Sequence, residues 1–244
     1  MRERRLYRPR AVDTLYALAG REINYRPPAD DVPTSDECWH VDSLHWPLAR
    51  EPSGDPVRGG AWDIACRLVR DYQFAEPGIL RALYRTDRPL LGRDMLLEGR
   101  FAGLRFDLGV RITSVVDTVQ RSGGTESRAW GWAYRTLQGH LEQGQLTYEV
   151  LKDRRTGDVD FRISGYSRRA PIANPVVRAG FAAFGNRTQH RFYHASARRL
   201  QRLVQAELLG APALTAEPLP GYGDVVLAPA APGTCGDGSG RQGG

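Results

Sequence analysis

Apolar side chains recur at every second position through the middle of this chain and at every third or fourth position towards its end. Leu104, Phe106, Leu108, Val110 and Ile112 alternate with Arg105, Asp107, Gly109 and Arg111, the pattern of a strand with one face on a core and the other in water. Trp130, Trp132 and Tyr134 share one face of another such segment, as do Leu146, Tyr148 and Val150, and then Val159, Phe161 and Ile163. Arg154-Arg155-Thr156-Gly157-Asp158 between the last two suits a hairpin turn. Strands joined this way form an antiparallel meander, and residues 39–44, ended by Pro47, read as an earlier first strand.

Two helical patterns follow that first strand. Ile64, Ala65, Leu68, Val69 and Tyr72 recur at helical spacing within 61–71, and Pro77 can open a second short helix carrying Ile79, Leu80, Leu83 and Tyr84. Asn174-Pro175 starts a long helix that runs to about Leu208 and stops at Gly210 and Pro212. Its stripe is Val177, Phe181, Phe184, Phe192, Leu200, Leu203 and Val204, with Gly180 and Gly185-Asn186 as points of bending. Burial of each such side chain contributes about 1.5–3 kcal/mol, so packing on the sheet holds this helix more than its own propensity. The order predicts an α+β helix-grip fold: a curved antiparallel sheet of six to seven strands around a long C-terminal helix, with two short helices after the first strand.

The ends differ in composition from this middle. Residues 1–35 read as a partly disordered arm with a short helix near 11–19, broken by Arg26-Pro27-Pro28 and Val32-Pro33. Residues 36–208 make the domain. Residues 209–244 are rich in Pro, Gly and Ala and are predicted to be a disordered tail, because too few large apolar groups offset the ordering entropy.

Charge and cysteine usage narrow the partners. The net charge is +6, but Lys152 is the only lysine, and Arg2, Arg4, Arg5, Arg8 and Arg10 crowd into the arm. This pattern argues against nucleic acid as a partner and leaves an adaptor or nucleic-acid-associated role as a weaker alternative. No apolar run is long enough to cross a bilayer, and the stretch 15–19 lacks a cleavage pattern after it. Cys38, Cys66 and Cys235 are odd in number and far apart, which points to a reducing cytoplasm and away from a zinc site.

Candidate chemistry centres on Gly139-His140-Leu141-Glu142. A histidine between glycines can be aimed at the end of the sheet, where it acts as a general base or donates to a ligand, with Glu142 orienting it. The alternative is that His140 caps the turn by bonding backbone groups. Trp130, Trp132 and Tyr134 either line a pocket for a greasy or planar ligand or form plain core. Arg128 and Arg135 bracket that strand and can meet an anionic head group, as can Ser167, Arg168 and Arg169 at the end of the last strand; the alternative in each case is a solvated strand end. His190 and His194 lie four apart on the long helix and His40 and Asp42 on one side of the first strand, but no accompanying acidic ligand or nucleophile is evident. No metal and no cofactor is expected.

The run Trp130-Gly131-Trp132-Ala133-Tyr134-Arg135-Thr136-Leu137-Gln138-Gly139-His140-Leu141-Glu142-Gln143-Gly144 resembles the signature of a bacterial and plant family, domain of unknown function nineteen-ninety, in which an aromatic strand enters a Thr-Leu-x-Gly-His-x-Glu-x-Gly loop. Val159-Asp160-Phe161-Arg162-Ile163, Ser167-Arg168, Gln189 and Phe192-Tyr193 continue the likeness, which covers about 39–208 and is specific from Trp130 onward. The resemblance implies a START-like, polyketide-cyclase-like fold and no established chemistry. Gln145 and Leu146 stand where the family tends to have acidic residues, and Arg169 where it has proline. The leading expectation is a binding protein for a small hydrophobic or amphipathic molecule. The alternative is a cofactor-independent cyclase or isomerase in which His140 moves a proton and Arg135 or Tyr134 steadies an oxyanion.

Overall fold

The computed structural model describes residues 9–27, 39–101, 104–122, 124–170 and 175–230. Among these, one nine-stranded antiparallel sheet has the order β1-β7-β6-β5-β4-β3-β2-β9-β8. The strands are β1 (His40–Arg50), β2 (Leu80–Arg85), β3 (Asp94–Phe101), β4 (Leu104–Ser122), β5 (Thr125–Thr136), β6 (Glu142–Asp153), β7 (Asp158–Arg169), β8 (Glu217–Leu219) and β9 (Tyr222–Ala228). The helices are α1 (Pro9–Ala17), α2 (Ala61–Arg70) and α3 (Pro175–Leu208), with a 3-10 turn at Leu18–Gly20.

The alternating segments all face one way. Tyr84, Met95, Leu97, Val110, Ile112, Trp132, Tyr148, Val150, Phe161 and Ile163 share a single core with α2 and with Phe192, Leu200 and Val204 of α3. Side chains from both flanks of the sheet, Leu48 near β1's end and Val226 of β9, join the same core. A sheet whose flanks meet one helix pair must curve around it, with breaks in register between Ile112 and Ser114 and between Pro47 and Ala49. Arg67 ties α2 to α3 through Glu207 and to the following segment through the carbonyl of Leu214, 2.9 Å away.

Four expectations are corrected. The second short helix at Pro77 does not form: Leu80–Arg85 is β2. Its apolar spacing looked helical because both of its faces are covered. Ala82 and Tyr84 enter the main core, while Leu83 enters a second core on the outer face with Val12, Leu15 and Leu18. The face of β4 assigned to water is accordingly half covered, and Gly109 is glycine because Leu18 Cδ2 lies 2.6 Å from where a Cβ would stand. β1 runs through Pro47 to Arg50, which is tolerated in an edge strand beside the register break between Pro47 and Ala49. The tail assigned as disordered from residue 209 instead supplies β8 and β9, and β9 pairs with β2 from Ala82↔Ala228 to Arg85↔Val225. Asn174 and residues 1–8 and 231–244, with Cys38 and Cys235, lie outside the described residues.

Candidate functional site

Four tyrosines meet where the main core approaches α3. Tyr72 follows α2 at the position where helices usually place glycine: its N–H bonds the Val69 carbonyl, the Gln73 N–H bonds the Leu68 carbonyl, and its φ is +56°. A left-handed backbone costs a non-glycine residue about 1–2 kcal/mol. The strain carries the Tyr72 ring into the core, 5.0 Å from Phe74, 6.2 Å from Trp132 and 6.4 Å from Tyr148. Tyr134 stands 6.1 Å from Tyr148, and Tyr193 arrives from α3 with its hydroxyl accepting from Gln189 Nε2 at 2.6 Å.

The hydroxyls of Tyr72 and Tyr148 are buried and make no hydrogen bond of normal geometry. Burial holds the phenols of Tyr72, Tyr134, Tyr148 and Tyr193 above their ordinary pKa, so all four are neutral donors. Tyr134 and Tyr193 also feel the carboxyl of Glu142. Burial, and then the charge of Asp42, push that carboxyl up to about 7.

Glu142 and His140 share the β5–β6 turn, which Gly139 closes with φ +89°. Glu142 does not orient the imidazole through its carboxylate. Its backbone N–H lies 2.9 Å from His140 Nδ1 and its backbone carbonyl 3.1 Å from the same nitrogen, so the ring is held by the Glu142 backbone in either tautomer. Burial pushes the imidazole down to about 4, so at neutral pH the ring is uncharged. The turn-capping alternative for His140 matches this geometry. An open cleft of about 430 Å³ adjoins the turn, lined by Ile23, Asn24, Gln138, His140 and Gln143.

The other sequence-selected residues separate into two faces. Trp132 is fully buried beneath α2 and donates from Nε1 to the Val69 carbonyl at 3.2 Å; Trp130 lies under Arg70 at 5.1 Å. Both are core, so a charge at position 132 would test folding and not ligand binding. Arg135 is on the opposite face from Tyr134 and donates to Gln145 Oε1 at 2.8 Å. Arg168 is likewise outside, donating to Gln143 Oε1 at 2.9 Å and covering Trp39 at 4.3 Å. Strand alternation excludes both from the inner face. Ser167 stands on the inner face beside His40. Arg128 pairs with Asp117 and covers Trp62. His194 packs edge-on against Trp46, whereas His190 reaches Asp42. Tyr72, Tyr148 and Tyr193 were not singled out as site residues, because in one dimension a buried tyrosine and a buried phenylalanine fill the same position of an apolar pattern.

Residues 27–199 match the family described as Domain of unknown function (DUF1990), and the chain belongs to that family. None of the curated proteins compared with the chain matches it. Solved structures similar to it include Ara h 8.0201, at 8% identity over 69% of this chain and 99% of that one, with a TM-score of 0.38. Another is norcoclaurine synthase from Thalictrum flavum in complex with dopamine and hydroxybenzaldehyde, at 10% identity over 71% and 90%, with a TM-score of 0.38. A third is major latex-like protein 151 from Panax ginseng, at 11% identity over 67% and 96%, with a TM-score of 0.40.

Proposed function

We propose that this member of the family binds a small amphipathic molecule on the inner face of its sheet, beside α3. The molecule's apolar part lies on aromatic side chains and its hydrogen-bonding group meets the tyrosine hydroxyls and Glu142. One observation carries this reading: Tyr148 is 0% exposed, and its hydroxyl and that of Tyr72 make no hydrogen bond of normal geometry and have only the neighbouring phenols of the cluster to interact with. Each unmatched buried hydroxyl costs about 1–3 kcal/mol, and phenylalanine would avoid the cost. Phenylalanine is what the chain uses next to them, at Phe74 and Phe161. A guest that accepts from these donors offsets the penalty. Cys66, buried and unpaired with its thiol pushed up by burial, is in keeping with a reducing cytoplasm, and no described helix is long and apolar enough to cross a membrane. Titration of the protein with 2-naphthol, followed by fluorescence, should give one saturable site per chain. Folded protein that shows no saturable binding would remove the reading.

A second reading, cofactor-independent proton transfer, is favoured by Glu142, whose carboxyl at about 7 is matched to acid–base work at neutral pH. On a substrate of this chain, Glu142→Gln should abolish turnover and the wild-type rate should inflect near pH 7, while His140→Ala retains most of the activity. A fully active Glu142→Gln variant would eliminate this reading.

A further inference from the structure

His40 and Asp42 project from the same side of β1, and α3 brings His190 down onto them. His40 Nε2 lies 3.2 Å from Asp42 Oδ2, and His190 Nε2 lies 3.7 Å from Asp42 Oδ1. One donor atom from each of the three residues falls within 4.8 Å of the other two. Bonds of about 2.0–2.2 Å in a tetrahedral site place neighbouring donors roughly 3.2–3.5 Å apart. The observed spacing is thus within a small rotamer adjustment of a coordination sphere, and the adjustment is available because His40 and His190 side chains are 45% and 57% exposed.

The carboxylate is different. Asp42 is only 11% exposed, and its buried Oδ2 makes no hydrogen bond of normal geometry although His40 Nε2 stands 3.2 Å away. A largely buried carboxylate needs a positive partner, which a protonated imidazole or a bound cation supplies.

We propose that His40, Asp42 and His190 bind a divalent transition metal of the zinc type, with two imidazole nitrogens, one carboxylate oxygen and water in the remaining position. Two nitrogens exclude the hard cations magnesium and calcium, which take oxygen ligands. Three protein ligands leave the site open, as in metal centres that also hold a small molecule. The bound ion fastens α3 to β1 at the edge of the sheet, and it is independent of the ligand-binding reading above. Sequence spacing pairs His190 with His194 and not with His40 and Asp42, but the His194 ring lies against Trp46.

The test uses untagged full-length protein stripped with chelator and titrated calorimetrically with Zn²⁺ alone, with Co²⁺ as a spectroscopic substitute. One ion should bind per chain, Co²⁺ should give the visible bands of a low-coordinate N/O site, and Zn²⁺ should raise the melting temperature. Asp42→Asn and His190→Ala should each weaken binding by at least about tenfold, as losing a ligand costs no less than losing its supporting partner. His194→Ala should bind as the wild type does. His190 is 57% exposed and its replacement should leave the fold intact, so a misfolded Asp42→Asn variant does not blur the outcome. Wild-type protein that takes up no Zn²⁺, or His190→Ala that binds undiminished, overturns the proposal, as does a loss in His194→Ala equal to that in His190→Ala.

Discussion

A chain ended at Gly210 should give no cooperative unfolding transition. The truncation removes β8 and β9, which the composition of the C-terminal segment gives no reason to expect. Val225, Val226 and Leu227 are all buried, and together they contribute about 5–9 kcal/mol at about 1.5–3 kcal/mol each. That is comparable with the whole stability of an ordinary domain, roughly 5–15 kcal/mol. The truncation also strips β2 of its neighbour from Ala82 to Arg85 and leaves an open strand edge that invites aggregation. It further removes the Ala230 N–H that satisfies buried Gln73 Oε1 at 3.0 Å. Thermal denaturation followed by circular dichroism decides the matter: a truncated chain that melts cooperatively within a few degrees of the full chain would show that the outer strands contribute little.

Lys152→Met should destabilise the fold by about 3–5 kcal/mol, the usual cost of leaving one member of a buried ion pair behind. Lys152 is 0% exposed and donates to Glu51 Oε2 at 2.6 Å and to the Asp55 carbonyl at 2.9 Å. Glu51 also accepts the Trp62 N–H at 2.9 Å and the Val57 N–H at 3.1 Å, so one carboxylate anchors the start of α2 to the end of β1 and to β6. Burial acts to raise the Glu51 pKa, but the Lys152 ammonium and the two backbone donors outweigh it and leave the group below the ordinary carboxylate value. A depressed folded-state pKa means that this stabilisation is present above the unfolded-state value and is lost as pH falls through the lower, folded one. Urea denaturation at pH 7 should therefore show the full effect of Lys152→Met, and the difference from wild type should shrink below about pH 4. Adding Glu51→Gln to Lys152→Met should recover part of the loss, since the stranded charge is gone. A single variant as stable as the wild type would mean the pair is dispensable.

The strands that face one core and one solvent-exposed side were legible in the sequence, because their alternation is a direct imprint of a half-buried sheet. Trp130, Trp132 and Tyr134, Leu146, Tyr148 and Val150, and Val159, Phe161 and Ile163 all enter the main core or pack against it. Strands covered on both faces were not legible. In β2 and β9 consecutive residues such as Leu83 and Tyr84, or Val225 and Val226, go to different cores, so no period of two survives in the sequence. The cover on the second face is α1 and the 3-10 turn, which sequence composition assigned to an arm. Near the site, strand parity places Tyr134 inside and Arg135 outside, and that much follows from one dimension. The meeting of His190 with Asp42, and of Tyr72 with Tyr148, does not, because each joins elements separated by long stretches of chain. The lone lysine among so many arginines was a signal that composition alone misassigned. A compact ammonium fits between Glu51 and Asp55 where a planar guanidinium would not.

The most direct measurement compares wild-type protein with Tyr148→Phe by calorimetry, using 2-naphthol and its methyl counterpart, 2-methylnaphthalene. If the buried hydroxyl exists to meet a guest, the variant without ligand should be as stable as the wild type or slightly more so. The wild type should prefer 2-naphthol by about fivefold to tenfold, the worth of one hydrogen bond, and the variant should lose that preference while still binding 2-methylnaphthalene. A variant that is markedly less stable, or a wild type with no preference between the two molecules, would make Tyr148 a structural residue and contradict a binding site at the tyrosine cluster.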